Sequence, residues 1–316
     1  MTSRLFICIT PLQMLIAEKL IENNPSYEND FICMYYDENE KYNYYYNRLK
    51  DKCQNSTKFL ISDNGGIVKL LELIKLKFLL GKEFRRDYDI ISFASIDSFF
   101  IHYICSKLNF KKIETFDDGA ANFFKKGHYY AQKEYSLFAR IVKNIFNIEY
   151  DMDILINSIN KHYTICEDLK NIVDNTVFLS LFDYDVKSSK NEGIISIFLG
   201  QPFHEYNLEN EIDVECILKK LDISLYYPHP REKKTYLNVN NIVSNKIFED
   251  YVSELRLNGY VVKVYAFLST ALLNLNGQNG VECFLIYNSD LYEKYKELYQ
   301  IYTEANIEVI NLENII

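Results

Sequence analysis

Short apolar runs alternate with longer stretches of helical period along nearly the whole chain, and that alternation limits the fold more than any other feature. "RLFICIT" (4–10) reads as a buried strand, and "DFICMYY" (30–36), "TKFLIS", "DIISFAS" and "KIETF" as the strands that follow it. Between them, "PLQMLIAEKLIEN", "NEKYNYYYNRLKDKC", "IVKLLELIKLKFLLGKEF" and "SFFIHYICSKLNF" read as helices, with Pro11 suited to a first turn. Alternation of this kind implies parallel sheets with crossover helices. Between about 130 and 190 the pattern loosens around one helical segment, "YSLFARIVKNIFNI", and two strand-like ones, "KHYTIC" and "TVFLSLF". It then restarts with "GIISIFLGQPF" and runs to a last strand, "IEVINL". The polar segment "DYDVKSSKNEG" (183–193) reads as a linker. Two Rossmann-like α/β domains are therefore expected, 1–188 and 189–316.

Composition narrows the function. A net charge of −9 argues against nucleic-acid binding, which usually needs a basic field. The seven cysteines are odd in number, scattered and free of any CxxC pair, so they read as reduced thiols of a cytoplasmic protein. Thr10, Pro11 and Gln13 interrupt the first apolar run, which therefore does not read as a signal peptide. No run of about 18 apolar residues suggests a transmembrane helix. The wealth of Tyr, Asn, Lys and Ile fits an AT-rich bacterial genome. The tyrosines, 27 in number, look exposed enough to suggest a homodimer. In "KLLELIKLKFLLGKEFRR" (69–86), basic residues accompany leucines. Two readings stay open there: leucines facing the core under solvated lysines, or a peripheral contact with the inner face of the plasma membrane.

Ligands of open α/β sheets sit beyond the carboxyl ends of the strands. Four polar groups fall at such ends: Asp117-Asp118, Gly200-Gln201, His229-Pro230 and Ser269-Thr270. Each alone has a plain structural reading as a turn, a loop or a helix N-cap. Together and in order, "FDDGAANF", "YYPHPRE" and "FLSTALLNL" resemble the acidic-acidic-Gly, His-Pro and Ser-Ser/Thr motifs of bacterial sialyltransferases. With "CITPLQ" and "LGQPF" the resemblance is to glycosyltransferase family 52, which includes lipooligosaccharide and capsule α2,3-sialyltransferases.

The resemblance implies a GT-B arrangement, two Rossmann-like domains facing a central cleft. It also implies an inverting, metal-independent transfer from CMP-sialic acid to a terminal galactose, with no cofactor. A sugar hydroxyl is too weak an acid to attack unaided, so a general base is needed. The resemblance gives that role to Asp118, with Asp117 orienting or tuning it and Gly119 completing the motif. His229, held by Pro230, would assist departure of the CMP phosphate. Ser269, Thr270 and Arg231 would add donors to that phosphate. Glu249 would bind the ribose, with Glu254 as competitor. Gly200 and Gln201 would approach the nucleotide, Gly200 because a side chain would block it. Gln13 would contact sialic acid or acceptor, although a helix-start Gln without a role is an equal reading. "DYD" (183–185) and "DMD" (151–153) read as surface acids rather than metal ligands. His102 reads as a core residue and His128 as a loop or acceptor edge. His162 and His204 have no motif beside them. Two rivals remain: a related enzyme with another nucleotide-sugar donor, and a noncatalytic glycan- or nucleotide-binding protein.

Overall fold

The computed structural model describes residues 1–62, 66–131, 135–182, 192–206, 212–232, 234–237 and 239–314, with no account of the side chains of 205 and 206. The chain divides into two compact units. One comprises Met1–Thr164 with Asn171–Leu181, and the other Ile165–Lys170 with Phe182–Ile316. The expected boundary at 188/189 and most of the linker lie outside the described residues.

In the first unit β1 (Ser3–Cys8), β2 (Glu28–Tyr35), β3 (Asn55–Leu60), β4 (Asp87–Phe93), β5 (Asn109–Phe116), β6 (Ile159–Thr164) and β7 (Thr176–Phe178) form one sheet. Its order is β3-β2-β1-β4-β5-β6-β7, and every pairing is parallel. The helices are α1 (Pro11–Glu22), α2 (Glu40–Lys50), α3 (Ile67–Glu83), α4 (Phe99–Cys105), α5 (Leu137–Ile145) and α6 (Met152–Ser158). Leu5, Phe6, Ile7 and Cys8 of β1 are all fully buried, which explains a continuous apolar run where a half-exposed strand would alternate. One face of the sheet packs Leu5, Ile7 and Ile91 against Leu73, Leu76, Ile104 and Val142 from α3, α4 and α5.

In the second unit β8 (Gly193–Leu199), β9 (Leu225–Tyr227), β10 (Asn240–Asn241), β11 (Tyr260–Ala266), β12 (Val281–Tyr287) and β13 (Glu308–Asn311) form the sheet. Its order is β10-β9-β8-β11-β12-β13, again wholly parallel. The helices are α7 (Val214–Lys220), α8 (Phe248–Leu257), α9 (Thr270–Leu275) and α10 (Ser289–Glu304). Six strands of each sheet thus follow the 3-2-1-4-5-6 order of dinucleotide-binding folds, and the Rossmann-like expectation holds for both units.

That order reverses between β1 and β4 in one unit and between β8 and β11 in the other. Chains leaving adjacent strands in opposite directions open a crevice beyond their carboxyl ends, where α/β sheets bind ligands. The loops after β1, β4 and β5, and those after β8, β9 and β11, are therefore the places to look.

Two expectations change. Among the described tyrosines only Tyr36 is exposed, the rest being buried or partly buried, which removes the ground for the homodimer. α6 arises inside the loosely patterned stretch, where Asp151 of "DMD" accepts a hydrogen bond from the backbone N–H of Ile154 as the N-cap. Asp183 and Asp185 of "DYD" lie outside the described residues.

Candidate active site

At the end of β5 the adjacent carboxylates part company. Asp117 is fully buried and accepts hydrogen bonds from His162 Nε2 at 2.8 Å, Thr164 Oγ1 at 2.7 Å and Asn171 Nδ2 at 2.9 Å. Thr115 Oγ1 lies 2.7 Å from His162 Nδ1 and fixes the other side of that ring. In the neutral ring with Nε2–H donating to Asp117, the Thr115 hydroxyl donates to Nδ1.

Asp118 is half-buried and makes no use of those partners. Its Oδ1 accepts from Gln13 Nε2 at 2.7 Å. Its Oδ2 accepts from Ser95 Oγ at 2.9 Å and Tyr129 Oη at 2.7 Å. Burial first, and then the Asp118 charge, push the Tyr129 phenol well above its usual range, so it stays a donor. The Asp118 backbone N–H donates to Asn122 Oδ1 at 2.7 Å, and Gly119 follows at φ +60°, in the left-handed region that suits glycine. A carboxylate offers about four acceptor positions. Three are filled here, and the one left is on Oδ1.

Gln13 is the pivot of this cluster. Its Oε1 accepts from the Ile9 N–H at 2.6 Å, and its Nε2 reaches both Asp118 and Ser95, the latter at 3.0 Å. Thr10 caps the helix that carries it, and Pro11 starts that helix, so the loop after β1 is rigid. Ser95 follows β4, the strand beside β1 where the order reverses.

In the second unit, Gln201 after β8 donates through Nε2 to the Leu268 carbonyl after β11, tying together the loops at the reversal point. His229 follows β9. Its Nδ1 accepts from the Arg231 backbone N–H at 3.1 Å, so the neutral ring carries its proton on Nε2 and presents a donor there. Glu232 locks this turn: Oε2 accepts from the His229 N–H at 3.2 Å and Oε1 from Tyr226 Oη at 2.6 Å. Burial raises the Glu232 carboxyl, against the lowering effect of those hydrogen bonds. A shallow pocket opens beside the turn, lined by Gln201, Phe203, His204, Glu232, Lys234 and Tyr236 among others. Ser269 sits at the N-cap of α9 with extended backbone, yet its hydroxyl makes no capping bond. Thr270 beside it is exposed.

Two strand-end sites of opposite character, one built to hold a carboxylate and one to present donors, can serve acid–base group transfer. The model of glycosyltransferase family 52 matches residues 28–290. The chain belongs to glycosyltransferase family 52. It is 29% identical over 310 residues to the CMP-N-acetylneuraminate:β-galactoside α-2,3-sialyltransferase of Pasteurella multocida, covering 98% of this chain and 99% of that one. It is 32% identical over 290 residues to the N-acetyllactosaminide α-2,3-sialyltransferase of Haemophilus influenzae, covering 90% and 92%. Over 327 residues it is 28% identical to the enzyme of the same description from Neisseria meningitidis, covering 98% and 86%.

Within this family 52 chain several residues take other places than the sequence suggested. Gln13 is fully buried with its amide engaged, so it braces Asp118 rather than offering surface to a ligand. Asp117 is fully buried too, its carboxylate engaged by His162, Thr164 and Asn171. Gly200 is needed for packing rather than for ligand approach, because a Cβ there would lie 2.4 Å from Glu232 Oε2 and 2.5 Å from Tyr226 Oη. Glu249 is buried in the first turn of α8, where its Oε1 accepts from Asn274 Nδ2 at 2.7 Å. Glu254 stands at the surface, paired with Lys246 at 3.0 Å. Pro230 and Arg231 are exposed. His102 is buried, with Nε2 2.8 Å from the Ile96 carbonyl, as a core histidine should be. His128 is exposed, and its Nε2 lies 3.6 Å from Asp97. Tyr129, His162 and Glu232 carry no local signal as site residues. Ser95 had one, since it follows the strand next to β1.

Proposed function

We propose that this chain is an inverting sialyltransferase that moves sialic acid from CMP-sialic acid to a terminal galactose of a surface glycan, forming an α2,3 linkage. Family membership and the names of its relatives support the donor and the reaction. The observation that carries the catalytic assignment is Asp118: a carboxylate fixed by three donors at a strand end, with one acceptor position left on Oδ1.

Asp118 takes the proton of the acceptor hydroxyl as that oxygen bonds to the anomeric carbon. The bond between that carbon and the CMP phosphate oxygen breaks, and the configuration inverts. His229 donates from Nε2 to the phosphate oxygen that leaves with the electron pair, and the hydroxyls of Ser269 and Thr270 add further donors. Glu249 is the candidate for the ribose hydroxyls. Metal independence is part of the proposal. All seven thiols are free, which supports a reducing, cytoplasmic setting.

Turnover of CMP-sialic acid with lactose, followed as CMP release with and without EDTA, tests the proposal. Acceptor-dependent release that chelation leaves unchanged is the expected result. Release only from UDP-sugars would overturn the donor, and loss on chelation would overturn metal independence.

A further inference from the structure

The first unit carries a surface that the proposed chemistry does not use. α3 buries Leu73, Leu76 and Leu80 in the core, yet Ile67, Leu71, Ile74 and Phe78 form a second apolar stripe along it, with Phe78 73% exposed. α5 repeats the arrangement. Val142 is buried, while Leu137 (76% exposed), Ile141 and Ile145 line the outside one turn apart. Half of the exposed large hydrophobics among the described residues lie on α3, α5 and α6, which make up about a tenth of the chain. Scattered exposed apolar residues are ordinary, but a concentration of this kind marks an interaction surface.

The two helices belong to one layer, since Leu73, Leu76, Leu80 and Val142 join the same core cluster. At the surface they meet through aromatic rings. The Lys69 ammonium lies 5.1 Å over Phe99, Phe99 lies 6.5 Å from Tyr135, and the Lys143 ammonium lies 4.5 Å over Tyr135. The charges that rim the stripes are mostly positive. Lys75, Lys77, Lys82 and Arg140 are exposed beside them against one exposed acid of α3, Glu83, whereas Glu72 is buried. A basic, apolar face on a chain of net charge −9 is a local feature that composition hides.

We propose that this face docks on the headgroup surface of an anionic lipid bilayer. Apolar stripes can sink to the boundary between headgroups and acyl chains while lysines stay among the phosphates. No helix among the described residues is long and apolar enough to cross a membrane, so the contact is peripheral. A second copy is the poorer occupant, because a two-fold interface through this face would set like basic rims against each other.

Co-sedimentation with vesicles tests this directly. The full chain should sediment with phosphatidylglycerol mixed equally with phosphatidylcholine, and not with phosphatidylcholine alone. Phe78→Asp combined with Ile141→Asp, and separately Lys75→Glu combined with Lys77→Glu, should each weaken binding about tenfold or more. Turnover on a soluble acceptor and the melting temperature should stay unchanged in both, which keeps this test apart from that of the proposed chemistry. No binding by the wild type, equal binding to the neutral vesicles, or variants that bind undiminished would overturn the proposal. Loss of self-association in the variants without any vesicle effect would also overturn it, and would give the face to a second copy.

Discussion

The two sheets share a strand order but finish its reversal point in opposite ways. In the first unit the segments after β1, β4 and β5 converge donors on one carboxylate: Gln13, Ser95 and Tyr129 all point at Asp118. In the second, the loops after β8, β9 and β11 carry hydrogen-bond donors instead. His229 presents Nε2–H because Nδ1 is occupied, and Ser269 withholds its hydroxyl from the helix cap. One topology thus holds a carboxylate among donors in one half and carries hydrogen-bond donors in the other. The difference lies in side chains at equivalent strand ends, which is why fold alone does not give function.

The sharpest way to break this division is Asp118→Asn. Turnover should fall by about 10²–10⁴-fold, the usual contribution of a positioned base, while CMP affinity measured by calorimetry stays unchanged. A parallel loss of CMP affinity would mean that the two halves do not divide the work. His229→Ala should cost about 10²–10³-fold in kcat, as removal of a donor to developing charge does, with the KM for acceptor unmoved. A change confined to acceptor KM would reassign His229 to acceptor binding.

Smaller effects compare the two bridging glutamines. Gln13→Leu strands the buried Ile9 N–H and deprives Asp118 of one donor, so a stability loss of about 1–3 kcal/mol is expected, together with reduced kcat. Gln201→Leu frees only the Leu268 carbonyl and should cost less on both counts. Denaturant unfolding and kcat for the pair decide whether the first bridge is the more demanding one.

Much of the fold was legible because buried parallel strands write themselves as apolar runs, and "RLFICIT" or "VECFLIY" could hardly be anything else. Asp118 and His229 were legible as candidates because both fall just beyond the ends of such runs. The support around them was not. His162, Thr164 and Asn171 converge on Asp117 from β6 and from the segment after it, and nothing local in "KHYTIC" distinguishes a ring aimed at a carboxylate from a solvated one. Gln13 was visible but misread: its place after β1 suggests a ligand contact, whereas burial turns it into a brace. Glu232 was passed over because its partner, Tyr226, lies on the strand before a proline-rich turn whose path the sequence does not fix.

The smallest effects concern pH, and here the two units should respond with opposite sign. Burial lowers the His102 imidazole below its usual value in the first unit. The fold therefore favours the neutral ring; its contribution is complete above the unfolded pKa and is lost as pH falls through the lower folded one. Burial raises Glu232 in the second unit. The fold there favours the protonated acid; its contribution is complete below the unfolded pKa and is lost as pH rises through the higher folded one. Melting curves of Glu232→Gln and His102→Gln against the wild type, taken across the acid range, separate the two. The advantage of Glu232→Gln over wild type should grow as pH rises above the ordinary glutamate range. The advantage of His102→Gln should grow as pH falls below the ordinary histidine range. If both differences ran the same way, the turn around His229 would not be held by a partly buried acid, and the contrast between the two reversal points would rest on geometry alone.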